Sequence, residues 1–202
     1  MNIYFDTESS IYKEKNRKLK NCITINENNQ TYYYEFNIAN KKALITYNDD
    51  TYLDIAIDEY RKHNPIISIF YNKDNSFYKA FDEIPTYKLP ISCIQPTKFF
   101  LSEEILNNLE EYIDEDDQIY IPVAIIDEEY VCIDGHHRLM YLNRNYEKLV
   151  NVYLYKYPSY LNDFIYLAKE NNIKSISNVK ILKDEEYKIH WNGFINDYFE
   201  YK

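Results

Sequence analysis

The sequence predicts an α+β fold in which short strands are mixed with helices. Runs of β-branched and aromatic residues fill positions 21–47, as expected for strands. Apolar residues at helical spacing recur in two separate segments, 48–63 and 102–114. With 202 residues, 46% of them hydrophobic, the chain can bury a substantial core. These observations favour a globular α+β protein.

The first half of the chain predicts an α+β extension of unknown role over residues 1–88. Segments 21–25 and 31–38 flank a polar turn and predict a β-hairpin, and 42–47 predicts a further strand. Residues 48–63 predict a helix that ends before Pro65. The helix would bury one face, formed by Leu53, Ala56, Ile57 and Tyr60.

A second hairpin and a boundary follow that helix. Segments 65–71 and 76–84 flank the turn "NKDN" and predict two paired strands. Pro85 and Pro90 then bracket "PTYKLP", which cannot continue a helix and predicts an extended connector. We expect the core of the protein to begin here, over residues 89–157.

The core is predicted to contain short strands and two helices. Ser102 is expected to cap the helix at 102–114. Glu128 and Glu129 are expected to form the turn between two apolar strands. The predicted segments in order are strand 91–96, helix 102–114, strands 121–127 and 130–134, helix 137–145 and strand 150–157.

The last part of the chain, residues 158–202, is expected to pack on the core. Residues 159–172 predict a helix, and 193–201 predict a short aromatic helix. Between them, 178–182 and 185–191 predict a hairpin, because apolar residues alternate in the second segment.

Charge and cysteine content exclude several classes of function. A net charge of −10 repels duplex nucleic acid, so we expect no nucleic-acid partner. Three scattered cysteines cannot form a disulfide framework or a four-thiolate zinc site. The chain also lacks a run of about 20 apolar residues and a secretory signal pattern, which predicts a cytoplasmic protein without membrane attachment.

The stretch "YVCIDGHHRLMYL" carries most of the chemistry. Gly135 lies between a predicted strand and a predicted helix, where its freedom permits positive φ or close approach of a ligand. Amides at the start of a helix bind anions, and His136, His137 and Arg138 can add side-chain donors. Phosphate is the ligand that suits this combination best.

Two other interpretations of this stretch remain open. It could be a purely structural turn with solvated polar residues. It could also be a metal site that uses Asp134, His136 and His137, although adjacent histidines point in divergent directions. His190 could serve as a further ligand only if the C-terminal tail folds back onto this site.

Residues 89–157 resemble the superfamily that contains the ParB N-terminal domain, sulfiredoxin and free-serine kinases. The resemblance rests on "QPTKFF", on the helix that follows it, and on "DGHHR" at 134–138. Gln95, Pro96 and Lys98 match the first ParB box, and Gly135 and Arg138 match the second. The Asp-Gly-His-His-Arg order is most similar to the serine-kinase-like members.

The chain also departs from each branch of this superfamily. His136 and His137 replace the Glu and first Arg of the ParB motif, and His136 stands where sulfiredoxin has its catalytic cysteine. Lys98 stands where the serine kinases carry a glutamate proposed as base. Cys132 lies inside an apolar strand, where a buried inert thiol is expected.

The resemblance implies a ParB/sulfiredoxin-like core that binds ATP, ADP or CTP, with Mg²⁺ as a further candidate cofactor. It also implies a kinase or nucleotide hydrolase, acting on a small hydroxyl-bearing acceptor in the kinase case. The candidate catalytic residues are His136, His137, Glu103 and Glu104. The candidate nucleotide-binding residues are Gln95, Thr97, Lys98, Asp134, Gly135, His136, His137 and Arg138.

Two alternatives to an enzyme follow from the same residues. A non-catalytic domain that senses a nucleotide or another anion, or that mediates an interaction, is favoured by the replacement of family acids at Lys98 and His136. A DNA-partition protein is disfavoured by the acidic balance and by a tail with one good helix. A homodimer is a further candidate partner arrangement.

Overall fold

The computed structural model describes residues 1–5, 21–112, 119–145 and 147–200, without the side chains of 110–112. The chain divides into two compact units, Met1–Ile84 and Pro85–Lys202. Strands and helices occur in both units, which confirms the predicted α+β class. The predicted helix that begins after Ser102 is described as far as Tyr112, and its expected last residues lie outside the described ranges.

The first unit is a six-stranded sheet in the order β1-β2-β3-β4-β5-β6. All neighbouring strands are antiparallel except β4 and β5, which are parallel and are joined by the helix α1. Both predicted hairpins, β2–β3 and β5–β6, are confirmed. The elements are β1 Asn2–Phe5, β2 Cys22–Glu27, β3 Gln30–Ala39, β4 Lys42–Tyr47, α1 Leu53–His63, β5 Ile69–Asn72 and β6 Phe77–Ala80.

Helix α1 packs its predicted apolar face into the core of the first unit. Leu53, Ala56, Ile57 and Tyr60 are all buried, which confirms the helical spacing. The rings of Tyr60 and Phe36 stack with centroids 4.0 Å apart, so the helix is anchored on the sheet by an aromatic pair.

The second unit has a five-stranded mixed sheet in the order β7-β12-β10-β11-β8 and a two-stranded sheet of β9 and β13. The segment "PTYKLP" is extended as predicted, and it forms the edge strand β7. The strands are β7 Thr86–Pro90, β8 Ile94–Gln95, β9 Phe100–Ser102, β10 Tyr120–Ile126, β11 Glu129–Cys132, β12 Leu149–Leu154 and β13 Lys180–Leu182.

Helices cover the sheet of the second unit. Apolar residues of β10, β12 and α3 share a buried cluster with residues from the C-terminal part of the chain. None of the helices within the described ranges combines the length and apolar character that crossing a membrane requires. The helices are α2 Glu103–Tyr112, α3 His136–Arg144, α4 Leu161–Glu170, α5 Asp184–Tyr187 and α6 Gly193–Glu200, with short 3₁₀ turns at Ile91–Cys93 and Ile176–Asn178.

The hairpin β10–β11 forms as predicted, but its turn lies one residue earlier than expected. Ile126 pairs with Glu129, so the two turn residues are Asp127 and Glu128. Both have positive φ, 48° and 68°, as a tight two-residue hairpin requires. The polar sequence indicated the turn, and the cross-strand pairing determined its register.

The predicted hairpin of 178–182 and 185–191 is wrong. The first segment contains β13, which pairs in parallel with β9, and residues 184–200 form α5, a π-helical turn at Lys188–Asn192 and α6. Tyr187 and Trp191 are buried, whereas Ile189 is 71% exposed. The apolar face therefore follows the i, i+4 spacing of a helix, and the alternation that suggested a strand is incidental.

Candidate phosphate-binding site

Gly135 turns the chain from β11 into α3, as predicted. Its φ of +81° lies in the left-handed region, and it occupies the position immediately before the helix. A Cβ there would lie 2.9 Å from Nη2 of Arg138 and 3.1 Å from Cδ1 of Ile121. The positive φ therefore favours glycine here, and a Cβ would also have to displace the flexible end of the Arg138 side chain.

The start of α3 carries no side-chain cap in the described structure. Gly135 has no side chain that could accept a hydrogen bond from the first-turn amides. The amides of an uncapped helix start need outside partners, and the helix dipole adds a partial positive charge there. The local structure can therefore accept an anion at this point.

Arg138 and Asp134 form a loose, solvated ion pair beside that helix start. Nη2 of Arg138 lies 3.7 Å from Oδ2 of Asp134, with the side chains 39% and 76% exposed. Nη1 of Arg138 also donates to the carbonyl oxygen of Tyr120 at 3.4 Å. An exposed pair of this kind contributes little stability, so an anionic ligand could take the place of the carboxylate at low cost.

Lys98 is the second cation of the site. Its side chain is half-buried, and Nζ lies 5.4 Å from the ring centroid of Trp191. Burial lowers the pKa of Lys98, and the nearby Asp134 carboxylate opposes that shift. The structure thus brings Lys98 close to Asp134 and its neighbour Arg138, although Lys98 is distant from both in sequence.

His136 is buried and bound to the loop that carries Lys98. Its Nε2 accepts the Thr97 amide N–H at 3.0 Å and lies 3.1 Å from Thr97 Oγ1. Its Nδ1 has no hydrogen-bond partner within the described residues and is enclosed. Burial lowers the pKa of His136 well below its usual range, and Lys98, His137 and Arg138 add to the effect. The imidazole is therefore neutral at pH 7.

His137 makes a corresponding bond further along the same segment, at the end of β9. Its Nε2 accepts the amide N–H of Ser102 at 3.0 Å. The ring is half-buried and lies edge-on to Tyr187, with centroids 6.1 Å apart. The two adjacent histidines therefore diverge, as their sequence positions predict, and each reaches a different backbone amide.

Gln95 and Thr97 are buried and direct their side chains into the protein. Nε2 of Gln95 donates to the carbonyl oxygens of Ile173 and Pro96, both at 2.8 Å. Thr97 Oγ1 donates to the carbonyl oxygen of Cys132 at 3.1 Å. In this structure both side chains brace the loop, so a direct contact with a ligand would require them to rearrange.

Glu103 and Glu104 are exposed in the first turn of α2. Ser102 caps this helix as predicted, because its Oγ accepts the Ile105 amide at 3.2 Å. Acidic residues in the first turn interact favourably with the helix dipole. This interaction explains the position of both glutamates without a catalytic role. Within the described residues, no group of three His, Cys, Asp or Glu side chains is placed to hold a metal ion.

Cys132 is fully buried, and its Sγ donates to the carbonyl oxygen of Asp134 at 3.1 Å. Burial raises the pKa of its thiol, so it is a poor nucleophile. Cys22 is also buried, whereas Cys93 is exposed.

We expect a thiol reagent such as dithionitrobenzoate to label one cysteine rapidly in the native protein and three after denaturation. Rapid native labelling of Cys132, identified by peptide mapping, would contradict this placement.

Sequence reasoning missed the contribution of Trp191. It packs edge-on to Phe99 with centroids 5.4 Å apart and lies beneath the Lys98 ammonium. Trp191 is buried and belongs to the core cluster of the second unit. Its proximity to Lys98 could not be predicted, because it depends on the helical conformation of residues 184–200.

No protein-family profile matches the sequence, and no curated protein matches it. Among solved structures, the chain is similar to a protein from Agrobacterium tumefaciens, with 15% identity and a TM-score of 0.38, over 48% of this chain and 62% of that one. It is also similar to the C-terminally truncated chromosome-partitioning protein ParB from Caulobacter crescentus complexed with CTP-γ-S. In that case the identity is 18% and the TM-score 0.32, over 45% of this chain and 53% of ParB. The chain thus matches less than two thirds of either protein.

Proposed function

We propose that the second unit binds the phosphate groups of a nucleotide at the start of α3. The observation that carries the proposal is the uncapped helix start, with Arg138 beside it and Lys98 close enough to interact with His136 and Asp134. Oriented amides and flanking cations are the two elements of a phosphate site. ATP, ADP and CTP are the candidate ligands, because the sequence resemblance points to nucleotides.

The charges around the helix start support an anion over a cation. Arg138 and Lys98 both interact with the carboxylate of Asp134. A phosphate oxygen would replace the Asp134 carboxylate as the partner of Arg138 and would also receive the α3 amides. Charge-assisted hydrogen bonds of this kind are shorter and stronger than the 3.7 Å contact they replace.

We further propose that the site binds its ligand without transforming it. Both histidines already accept backbone N–H groups through Nε2, and His136 is enclosed. These contacts support a structural role for residues that the sequence suggested as acid–base catalysts. The competing kinase or hydrolase would have to use Glu103 or Glu104, which are exposed at the start of α2.

Replacement of Arg138 tests the binding site directly. We expect calorimetry to show saturable binding of ATP, ADP or CTP to the intact chain, and Arg138→Ala to weaken it at least tenfold, as loss of one charge-assisted contact of about 1.5–3 kcal/mol predicts. Arg144, exposed at the other end of α3, is the matched control, and Arg144→Ala should bind like the unmodified protein.

Titrations with and without Mg²⁺ are part of the same experiment. Mg²⁺ is usually held by one or two carboxylates together with ligand phosphates, and Glu103 and Glu104 follow the Lys98 loop directly. Lack of binding to all three nucleotides in both conditions, or equal affinity of the Arg138→Ala variant, would refute the proposal. Release of phosphate or diphosphate during long incubation would identify an enzyme.

A further inference from the structure

The two adjacent histidines of α3 bind two points of one segment, Thr97 in the loop after β8 and Ser102 at the end of β9. His136 accepts the amide of Thr97, and His137 accepts the amide of Ser102, both through Nε2 at 3.0 Å. Lys98 lies within the segment 97–102 that these two bonds enclose. We call these two hydrogen bonds, from the Thr97 amide to His136 and from the Ser102 amide to His137, the clasp.

We propose that His136 and His137 are positioning residues that hold the segment 97–102, a short loop that runs into β9, and with it Lys98, beside the start of α3. The role of Lys98 in this statement rests on the proposed phosphate site. The clasp itself does not, because it is defined by contacts within the protein.

The geometry explains why two histidines are needed. Neighbouring residues of a helix point about 100° apart, so one ring cannot reach both amides. The Thr97 end is fixed further by its own Oγ1 bond to Cys132, and the Ser102 end by its cap on α2. Pairing of β9 with β13 also holds residues 100–102. Loss of either imidazole bond would therefore loosen one end of the segment rather than detach it, and Lys98, between the two bonds, would be held less firmly in place.

The chemistry of the contacts opposes proton transfer by these rings. A neutral imidazole has one acceptor and one donor, so acceptance at Nε2 places the proton on Nδ1. Protonation would set an Nε2–H donor against an amide donor and break the clasp. Lys98 and Arg138 also face His136, and Tyr187, whose pKa burial raises to about 12, faces His137 as a neutral phenol.

Amide hydrogen exchange by NMR tests the clasp independently of any ligand. We expect slow exchange at Thr97 and Ser102 in the unmodified protein. His136→Leu should accelerate exchange at Thr97, and His137→Leu at Ser102, each by roughly tenfold or more. The glutamine variants place an amide oxygen near the former Nε2 and should restore protection. Unchanged exchange in both leucine variants would overturn the proposal.

Affinity for inorganic pyrophosphate tests the positioning role. Binding is measured by titrating pyrophosphate and following the fluorescence of Trp191, the single tryptophan, whose ring lies 5.4 Å from the Lys98 ammonium. Pyrophosphate does not absorb at the wavelengths used for tryptophan. We expect the leucine variants to bind at least tenfold more weakly, and the glutamine variants to stay within about threefold of the unmodified protein.

The outcomes separate the two proposals. If the glutamine variants lose affinity as the leucine variants do, the imidazoles act directly and the positioning role is wrong. If the unmodified protein binds neither pyrophosphate nor a nucleotide, the proposed function fails and the role of the clasp in holding Lys98 for a ligand fails with it. The exchange data would still decide whether the clasp exists.

Discussion

Replacing the two glycines of this chain by alanine is expected to change stability in opposite directions. Gly135→Ala should lower the free energy of unfolding of the second unit by about 1–2 kcal/mol, the cost of a left-handed backbone for a residue with a Cβ. Gly193→Ala should raise it by about 0.5–1 kcal/mol, the usual gain from alanine inside a helix.

The structural difference between the two positions explains why the two substitutions change the free energy of unfolding in opposite directions. Gly135 has φ of +81°, and a Cβ would meet Arg138 at 2.9 Å and the buried Ile121 at 3.1 Å. Gly193 has φ of −58° in a continuous helical segment, and the nearest atom to its Cβ is the Lys188 carbonyl oxygen at 3.9 Å. Alanine fits the second position without displacement.

Urea denaturation followed by far-ultraviolet circular dichroism and by Trp191 fluorescence measures both effects. Trp191 is buried in the second unit, so its emission reports on the unit that contains both glycines. A Gly135→Ala variant that unfolds at the same urea concentration as the unmodified protein would contradict the positive φ. A destabilised Gly193→Ala variant would contradict the helical assignment of residues 184–200.

Acidification is expected to destabilise the second unit through His136. Burial lowers the pKa of the folded imidazole well below that of the unfolded chain, which is about 6.5. Between these two values the unfolded state binds a proton that the folded state excludes. The free energy of unfolding therefore falls as pH decreases below about 6.5, by up to about 1.4 kcal/mol per pH unit, and this loss is absent above that pH.

Urea denaturation at pH 7.0, 6.0 and 5.0 tests the role of His136. We expect His136→Gln to keep the bond from the Thr97 amide while removing this titration, so its stability should vary less over the range. His190→Gln changes an exposed histidine of the same unit and should keep the slope of the unmodified protein. An unchanged slope in His136→Gln would show that another group causes the acid sensitivity.

Local patterns predicted much of the secondary structure because they depend on neighbouring residues. The helical spacing of Leu53, Ala56, Ile57 and Tyr60 matches the buried face of α1, and Ser102 caps α2 as its residue type predicts. The glycine before "HHR" has the positive φ that a strand-to-helix turn favours. Each of these predictions required only a few adjacent residues.

The conformation of residues 185–191 could not be predicted in the same way. Alternation of Tyr187, Ile189 and Trp191 is compatible with a strand, and i, i+4 spacing of Tyr187 and Trp191 is compatible with a helix. Packing of Trp191 against Phe99 and Phe164 favours the helix. These partners are distant in sequence, so the choice depends on tertiary contacts.

By itself, the sequence determined the α+β class, the glycine turn and the identity of the charged residues near it. Only the tertiary structure decided what those residues do, because hydrogen-bond partners come from distant segments. It binds His136 and His137 to the amides of Thr97 and Ser102, and it leaves Arg138 and Lys98 beside the start of α3. A histidine that could serve as acid, base or ligand becomes a neutral acceptor when burial removes water and one amide occupies its ring nitrogen.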